Sequence, residues 1–250
     1  MDLRLEILIG YGPLFLQGLQ MTVGLTVVSL AAGMALGLVF GVIRSQHGAL
    51  APPGRQARTL LLPLQAIASL YVGFFRGTPL FVQILLVHFA LMPVLVHPDH
   101  GLLLSGDAAV AFRQEHGAFF SGAVALGLNA GAYITEIFRA GIVSIGVGQV
   151  EAAHALGLHH TQTLRLVLLP QAFRRMLPAF VNEAIALTKD SSLVSAIGLA
   201  ELALAARTVA GAYSRYWEPY LAISAIYLVL TLLLAQLARL LEAPSFERRE

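Results

Sequence analysis

Residues 16–43 read LQGLQMTVGLTVVSLAAGMALGLVFGVI, and none of them is charged. A helix needs roughly 20 apolar residues to cross a bilayer, and this run is long enough to cross even with some tilt. Further apolar runs at about 79–96, 119–142, 177–199 and 220–241 repeat the pattern. The whole chain is 57% hydrophobic and 12% charged, against about 25% charged in a soluble domain. A β-barrel would show segments of roughly ten residues alternating apolar and polar, and no such alternation is present. The expectation is an all-α membrane protein in which residues 1–250 form a single transmembrane domain of five spanning helices.

The loops between the runs give an orientation. The segment after the first run carries Arg44, Arg55 and Arg58 without an acid, which the positive-inside rule places in the cytoplasm. The loop 97–117 holds Asp99, Asp107 and Glu115 against Arg113 alone, whereas 139–175 holds Arg139, Arg165, Arg174 and Arg175 against Glu151 alone. These read as outside and inside, so the N-terminus is expected outside and the C-terminus inside. Residues 60–96 are too long for one crossing and carry Arg76-Gly77-Thr78-Pro79 in the middle. Two crossings there would put the later arginines outside. Residues 60–75 are therefore expected to form a helix lying at, or dipping into, the cytoplasmic interface and broken at Pro79, with Arg76 near the inner headgroups. Asp2, Arg4 and Glu6 form no cationic cluster and the first run is too long for a signal-peptide core, so it reads as a retained helix.

Several function classes fall away. The chain has no cysteine, which removes disulfides and thiolate metal sites. Its net charge of +2 is spread over scattered arginines without a basic stripe, so no nucleic-acid partner is expected. Lys189 is the single lysine, preceded by Thr188 and followed by Asp190, so no GxxxxGK[ST] phosphate loop exists. No HExxH pair or Ser/His/Asp set supports an intramembrane enzyme. His88, His97, His100 and His116 fall in or near the outer loop without regular ligand spacing, so they read as solvated histidines and no metal is expected. Tyr213, Tyr216, Trp217 and Tyr220 read as an interfacial aromatic belt.

The cytoplasmic stretch of about 147–172 carries Glu151-Ala152-Ala153, then Gly157, then Leu169-Pro170-Gln171-Ala172. Good helix formers over 149–156, a natural terminator at Gly157 and a capping Thr161 predict a helix, a turn and a second helix ending before Pro170. Glu-Ala-Ala, three residues, Gly, nine residues, Val167, one residue and Leu-Pro resembles the EAA signature of importer permeases in the ATP-binding-cassette (ABC) superfamily. Residues 76–80 (RGTPL), 131–139 (GAYITEIFR) and 189–195 (KDSSLVS) are similar to blocks of the permeases for polar amino acids. The resemblance covers about 16–241. Departures are His154, the pair His159-His160 and an outer loop, 97–117, longer than the family pattern.

The resemblance implies a type I importer permease fold: five spans, the interfacial helix and a cytoplasmic coupling hairpin. Glu151, Ala152, Ala153, Gly157, Leu169 and Pro170 would then meet the ATPase subunits. The chain would bind no cofactor, and ATP-Mg would sit on the partner ATPase. Further implied partners are a second copy or a paralogue, a periplasmic or lipid-anchored amino-acid-binding protein, a small polar amino acid and membrane lipids, in a bacterial inner membrane.

Charge within apolar runs costs about 2.5–3.5 kcal/mol per residue on insertion scales and so asks for a reason. Asn129, Tyr133 and Glu136 share one helical face, and Glu183 and Asp190 share another, with Lys189 beside it. With Ser191 of the third block, these residues are candidates for a substrate path. Local neutralisation, Glu136 by Arg139 and Asp190 by Lys189, is the competing reading. An ion-coupled secondary transporter using Glu136 and Asp190 is the alternative function. Gly33, Gly37 and Gly41, with Gly127 and Gly131, permit close helix approach, either within the bundle or between subunits.

Overall fold

The computed structural model describes residue 4, residues 6–44 and residues 55–241. The charged tail and most of the segment joining the first two long helices lie outside these residues. Among the described residues there are helices and one isolated bridge between Val96 and Leu104, and no strand. In order they are α1 (Glu6–Gly10), α2 (Gly12–Arg44), α3 (Arg55–Gly77), α4 (Leu80–Leu95), α5 (Gly106–Glu115), α6 (Gly117–Val143), α7 (Val147–Ala155), α8 (Thr163–Ile197, entered through a short turn from His160), α9 (Leu202–Tyr213) and α10 (Trp217–Leu241).

Three of these helices, α2, α6 and α10, are each long and apolar enough to cross a membrane. Two bent pairs add two more if each counts as one span: α3 with α4 at 109°, and α8 with α9 at 51°. The pairs break for different reasons. Between α3 and α4, Pro79 supplies no N–H, and the freed carbonyls are taken up by side chains. The Gln83 amide donates to the carbonyls of Phe75 (2.9 Å) and Thr78 (3.1 Å), while the Asn129 amide donates to Phe75 O (3.1 Å) and Gln83 Oε1 (2.9 Å). Between α8 and α9, Gly198 at φ +88 turns the chain and Glu201 caps α9 by accepting from Leu204 N at 2.9 Å. Glu201 is fully buried, and the Tyr227 hydroxyl of α10 donates to its second oxygen at 2.9 Å.

Two wide π-helical turns, Leu86–Leu91 and Thr163–Leu168, each lie just ahead of a proline, Pro93 and Pro170. A helical proline lacks the donor for the i−4 carbonyl and clashes with it, and a widened turn relieves both. The helix therefore runs through Pro170, where the sequence predicted a stop. Pro63 and Pro178 sit inside helices without such a turn.

At the centre α2 and α6 run parallel and in close contact. Gly33 lies against Ala130, Gly37 against Ile134 and Gly41 against Phe138, while Gly127 faces Ala32. A Cβ on Gly37 would overlap Ile134, so the glycine stripe serves packing within the bundle. α8 runs antiparallel to α6, with Met176 on Gly141, Phe180 on Phe138 at 5.2 Å between ring centroids, and Val194 on Gly122. The main core lies between α2, α4, α6 and α8; a second cluster joins Phe15 to α9 and Ile223. α10 leaves Leu228, Leu232, Leu233 and Leu240 exposed, as a helix facing lipid or another subunit does.

α3 meets the bundle beside the Arg44 end of α2, where Gln65 donates to Ile43 O at 3.5 Å, and climbs until the Tyr71 hydroxyl donates to Leu128 O at 2.7 Å. It thus dips to the middle of α6 before breaking. Arg76 stands with it, its guanidinium 5.2 Å from the centre of the Tyr133 ring. Tyr133 is about 15 Å along the helix axis from Val143, so Arg76 stands well within the length of α6 rather than at its end.

Candidate functional site

Two places bring the sequence candidates together. The first is the hairpin at the Arg44 end of the bundle. α7 buries Val150, which joins the main core with Leu168, and also Ala153. Glu151 and Ala152 point the other way and are exposed. Gly157 ends the helix at φ +80, a left-handed conformation that disfavours a side chain, and the Gly157 and Leu158 amides close the end on His154 O (2.9 Å) and Ala153 O (3.0 Å). The second helix starts at His160, so Thr161 lies inside it rather than ahead of it, and His159 N donates to Gln162 Oε1 at 2.9 Å. Leu169 is half-buried and Pro170 exposed. Val147 and Leu156 are 70% and 83% exposed and flank Glu151, so the outer face combines apolar groups with a carboxylate.

The second place is a cavity of about 490 Å³ between the α3 end, α6 and α8, lined by Arg76, Tyr133, Glu136, Ser144, Arg175 and Glu183 among others. Glu136 is held there by two cations: Arg139 Nε donates to it at 2.9 Å, and Arg44 pairs with its other oxygen. Arg175 donates to Ser144 O at 2.6 Å. Glu183 has no hydrogen bond or ion pair with the described residues. The cavity therefore offers one uncommitted carboxylate, a guanidinium over an aromatic face and a carboxylate already neutralised.

The other candidates lie elsewhere. Asn129 shares a face with Tyr133 and Glu136, yet its amide is spent at the α3–α4 break. Ser191 is buried and donates to Thr188 O at 2.7 Å. Lys189 is exposed and Asp190 half-buried, and neither lines the cavity. Sequence reasoning missed Arg44, Arg76 and Arg175 as site residues. The available signal for Arg76 was a lone cation inside an otherwise apolar stretch.

Residues 59–244 match the family described as binding-protein-dependent transport system inner membrane component. The arginine transport system permease protein ArtQ of Bacillus subtilis is 36% identical over 230 residues, covering 92% of this chain and 91% of that protein. The glutamine transport system permease protein GlnP of Escherichia coli K12 is 34% identical over 231 residues, covering 92% of each. A crystal structure of an amino acid ABC transporter with histidines has a chain that superposes with a TM-score of 0.79 at 36% identity, covering 97% of this chain and 99% of that one. A helical bundle of this kind, matched over most of its length, leaves one assignment: the chain belongs to the binding-protein-dependent transport system inner membrane components, as a permease of the ABC-importer kind.

Proposed function

We propose that this chain forms the translocation path of an ATP-driven importer for polar amino acids and transmits the motion of a separate ATPase through the Glu151 hairpin. It pairs with a second copy or a paralogue. The N-terminus faces outside, where a binding protein delivers cargo, and the hairpin faces the cytoplasm, where the partner holds ATP-Mg. The observation that carries this reading is the outer face of the hairpin, with Val147, Glu151 and Leu156 presented to solvent beside the glycine-terminated turn. Apolar side chains exposed around a single charge suit docking into a groove of another subunit.

The cavity supports the cargo class. A zwitterionic amino acid needs an anion for its ammonium and a cation for its carboxylate, and Glu183 and Arg76 supply both beside an aromatic ring. Relatives named for arginine and glutamine transport agree with such a ligand. Docking of the ATPase and of loaded binding protein must each favour one conformation, since a partner shifts an equilibrium only by binding one state better.

Glu151→Lys and Gly157→Asp test the coupling. In proteoliposomes containing the full complex, both variants should insert normally and lose ATP-driven uptake while the ATPase retains hydrolysis. Wild-type uptake by either variant would overturn the assignment of the hairpin.

A further inference from the structure

The outer loop between α4 and α5 gathers groups that the import reading does not use. His97, Asp99 and His100 each offer one ligand atom, and these atoms all lie within 4.8 Å of one another. The two imidazole rings stack at 3.8 Å between centroids. His97 Nδ1 accepts from the Asp99 amide at 3.2 Å, and a carboxylate oxygen of Asp99 stands 3.8 Å from the same nitrogen. A cation that takes Nδ1 as a ligand would displace this amide hydrogen bond and draw the nearby carboxylate in beside it.

The backbone beneath is held in place. His97 N donates to Leu104 O (3.1 Å), Gly101 N to His97 O (3.2 Å), Leu103 N to Leu95 O (2.8 Å) and Gly106 N to Pro98 O (2.7 Å). Below these bonds Met92, Val96 and Ala109 form a small core with Leu95, Leu104 and Phe112. The loop is therefore fixed before any ligand arrives, and only side-chain rotation is needed. Ligands at about 2.0–2.1 Å around a tetrahedral ion stand about 3.3 Å apart, within reach of groups this close.

We propose that His97, Asp99 and His100 form a binding site for a divalent transition metal on this loop. Two imidazoles and one carboxylate suit zinc, cobalt, nickel or copper, whereas calcium and magnesium prefer oxygen ligands alone. Water completes the coordination, because Asp99 and His100 are open to solvent. The residues span H-x-D-H, a spacing outside the regular helical and finger patterns, so the sequence alone pointed to solvated histidines. The site stands whether or not the import reading does.

The test is titration of the detergent-purified full chain, carrying no histidine tag, with Co²⁺ followed by visible absorption and with Zn²⁺ by calorimetry. The wild type should bind one equivalent that His97→Gln, Asp99→Asn and His100→Gln each weaken by at least about tenfold, the lower end of what even an outer-shell loss costs. His88→Gln and His159→Gln should leave that equivalent intact, and Mg²⁺ should not compete. Absence of the equivalent in the wild type, or its survival in His97→Gln and His100→Gln, would refute the proposal. Gel-filtration profiles matching wild type separate lost ligation from lost folding.

Discussion

Two carboxylates of the cavity do different work. Glu136 is pinned between Arg44 and Arg139, whereas Glu183 has no such partner among the described residues. Removing the charge of Glu136 leaves two partly buried guanidinium groups facing a neutral amide. Glu136→Gln should therefore cost about 1–2 kcal/mol of stability, less than the roughly 3–5 kcal/mol of a fully buried pair, seen as a lower thermal midpoint in detergent. Glu183→Gln should leave that midpoint unchanged and raise KM for uptake by about tenfold or more, the equivalent of one charge-assisted hydrogen bond. A stability loss at Glu183 with unaltered KM would make it structural. Helical spacing alone placed Tyr133 and Glu136 on a face that proves to line the cavity. It could not separate Asn129 from them, because the neighbour of α6 changes from the cavity to the Pro79 break within one turn. Arg76 was illegible for a related reason: its depth follows from the path of α3, which no local pattern encodes.

Helix contacts give the sharpest test of packing. Gly37 abuts Ile134, whereas a Cβ placed on Gly24 of the same helix would meet nothing within 4 Å. Gly37→Leu should lower stability by about 1–3 kcal/mol through overpacking, while Gly24→Leu should be near neutral; equal effects would deny the close α2–α6 contact. The glycine spacing was visible in the sequence, but not the partner, since packing within a bundle and between subunits uses the same residues. The prolines were harder to read. A break was expected at Pro79 and a stop at Pro170, and the helices break at the first and continue through the second. Pro79 follows Gly77 and Thr78, where side chains of Gln83 and Asn129 stand ready to take the freed carbonyls. Pro170 follows a turn that widens instead. The choice depends on which polar side chains neighbouring helices bring, and that is tertiary information. The loop between α4 and α5 makes the same point: Ala109 and Phe112 of α5 pack on Met92, Leu95 and Val96, a contact between elements that no local pattern encodes.

For the molecule as a whole, the ends of the bundle are set by charge and by aromatic residues. Arg44, Arg139 and Arg175 gather at one end, while Tyr11 meets Tyr213 edge-to-face at 5.8 Å near the other. Because the chain has no cysteine, single introduced cysteines can report orientation. Ser105→Cys should react with an impermeant maleimide in intact spheroplasts, and Gln162→Cys only after permeabilisation; the reverse pattern would invert the proposed topology. The five apolar runs made the spanning architecture readable at once, since membrane crossing depends on length and composition. How the runs are bent is set by contacts between them. One consequence concerns mechanics. From Thr163 to Ile197 the chain is helical without interruption, so the hairpin and Glu183 ride on one rod that ends at the bend by Gly198. At about 1.5 Å per α-helical residue and about 2.0 Å over the tighter turns Ser191–Ile197, the hairpin end lies about 55 Å from that bend and Glu183 about 26 Å. With Gly198 as the fulcrum, a push of about 5 Å at the hairpin would move the Glu183 backbone by about 2 Å, a reduction gear that turns a coarse stroke into a displacement on the scale of a single hydrogen bond.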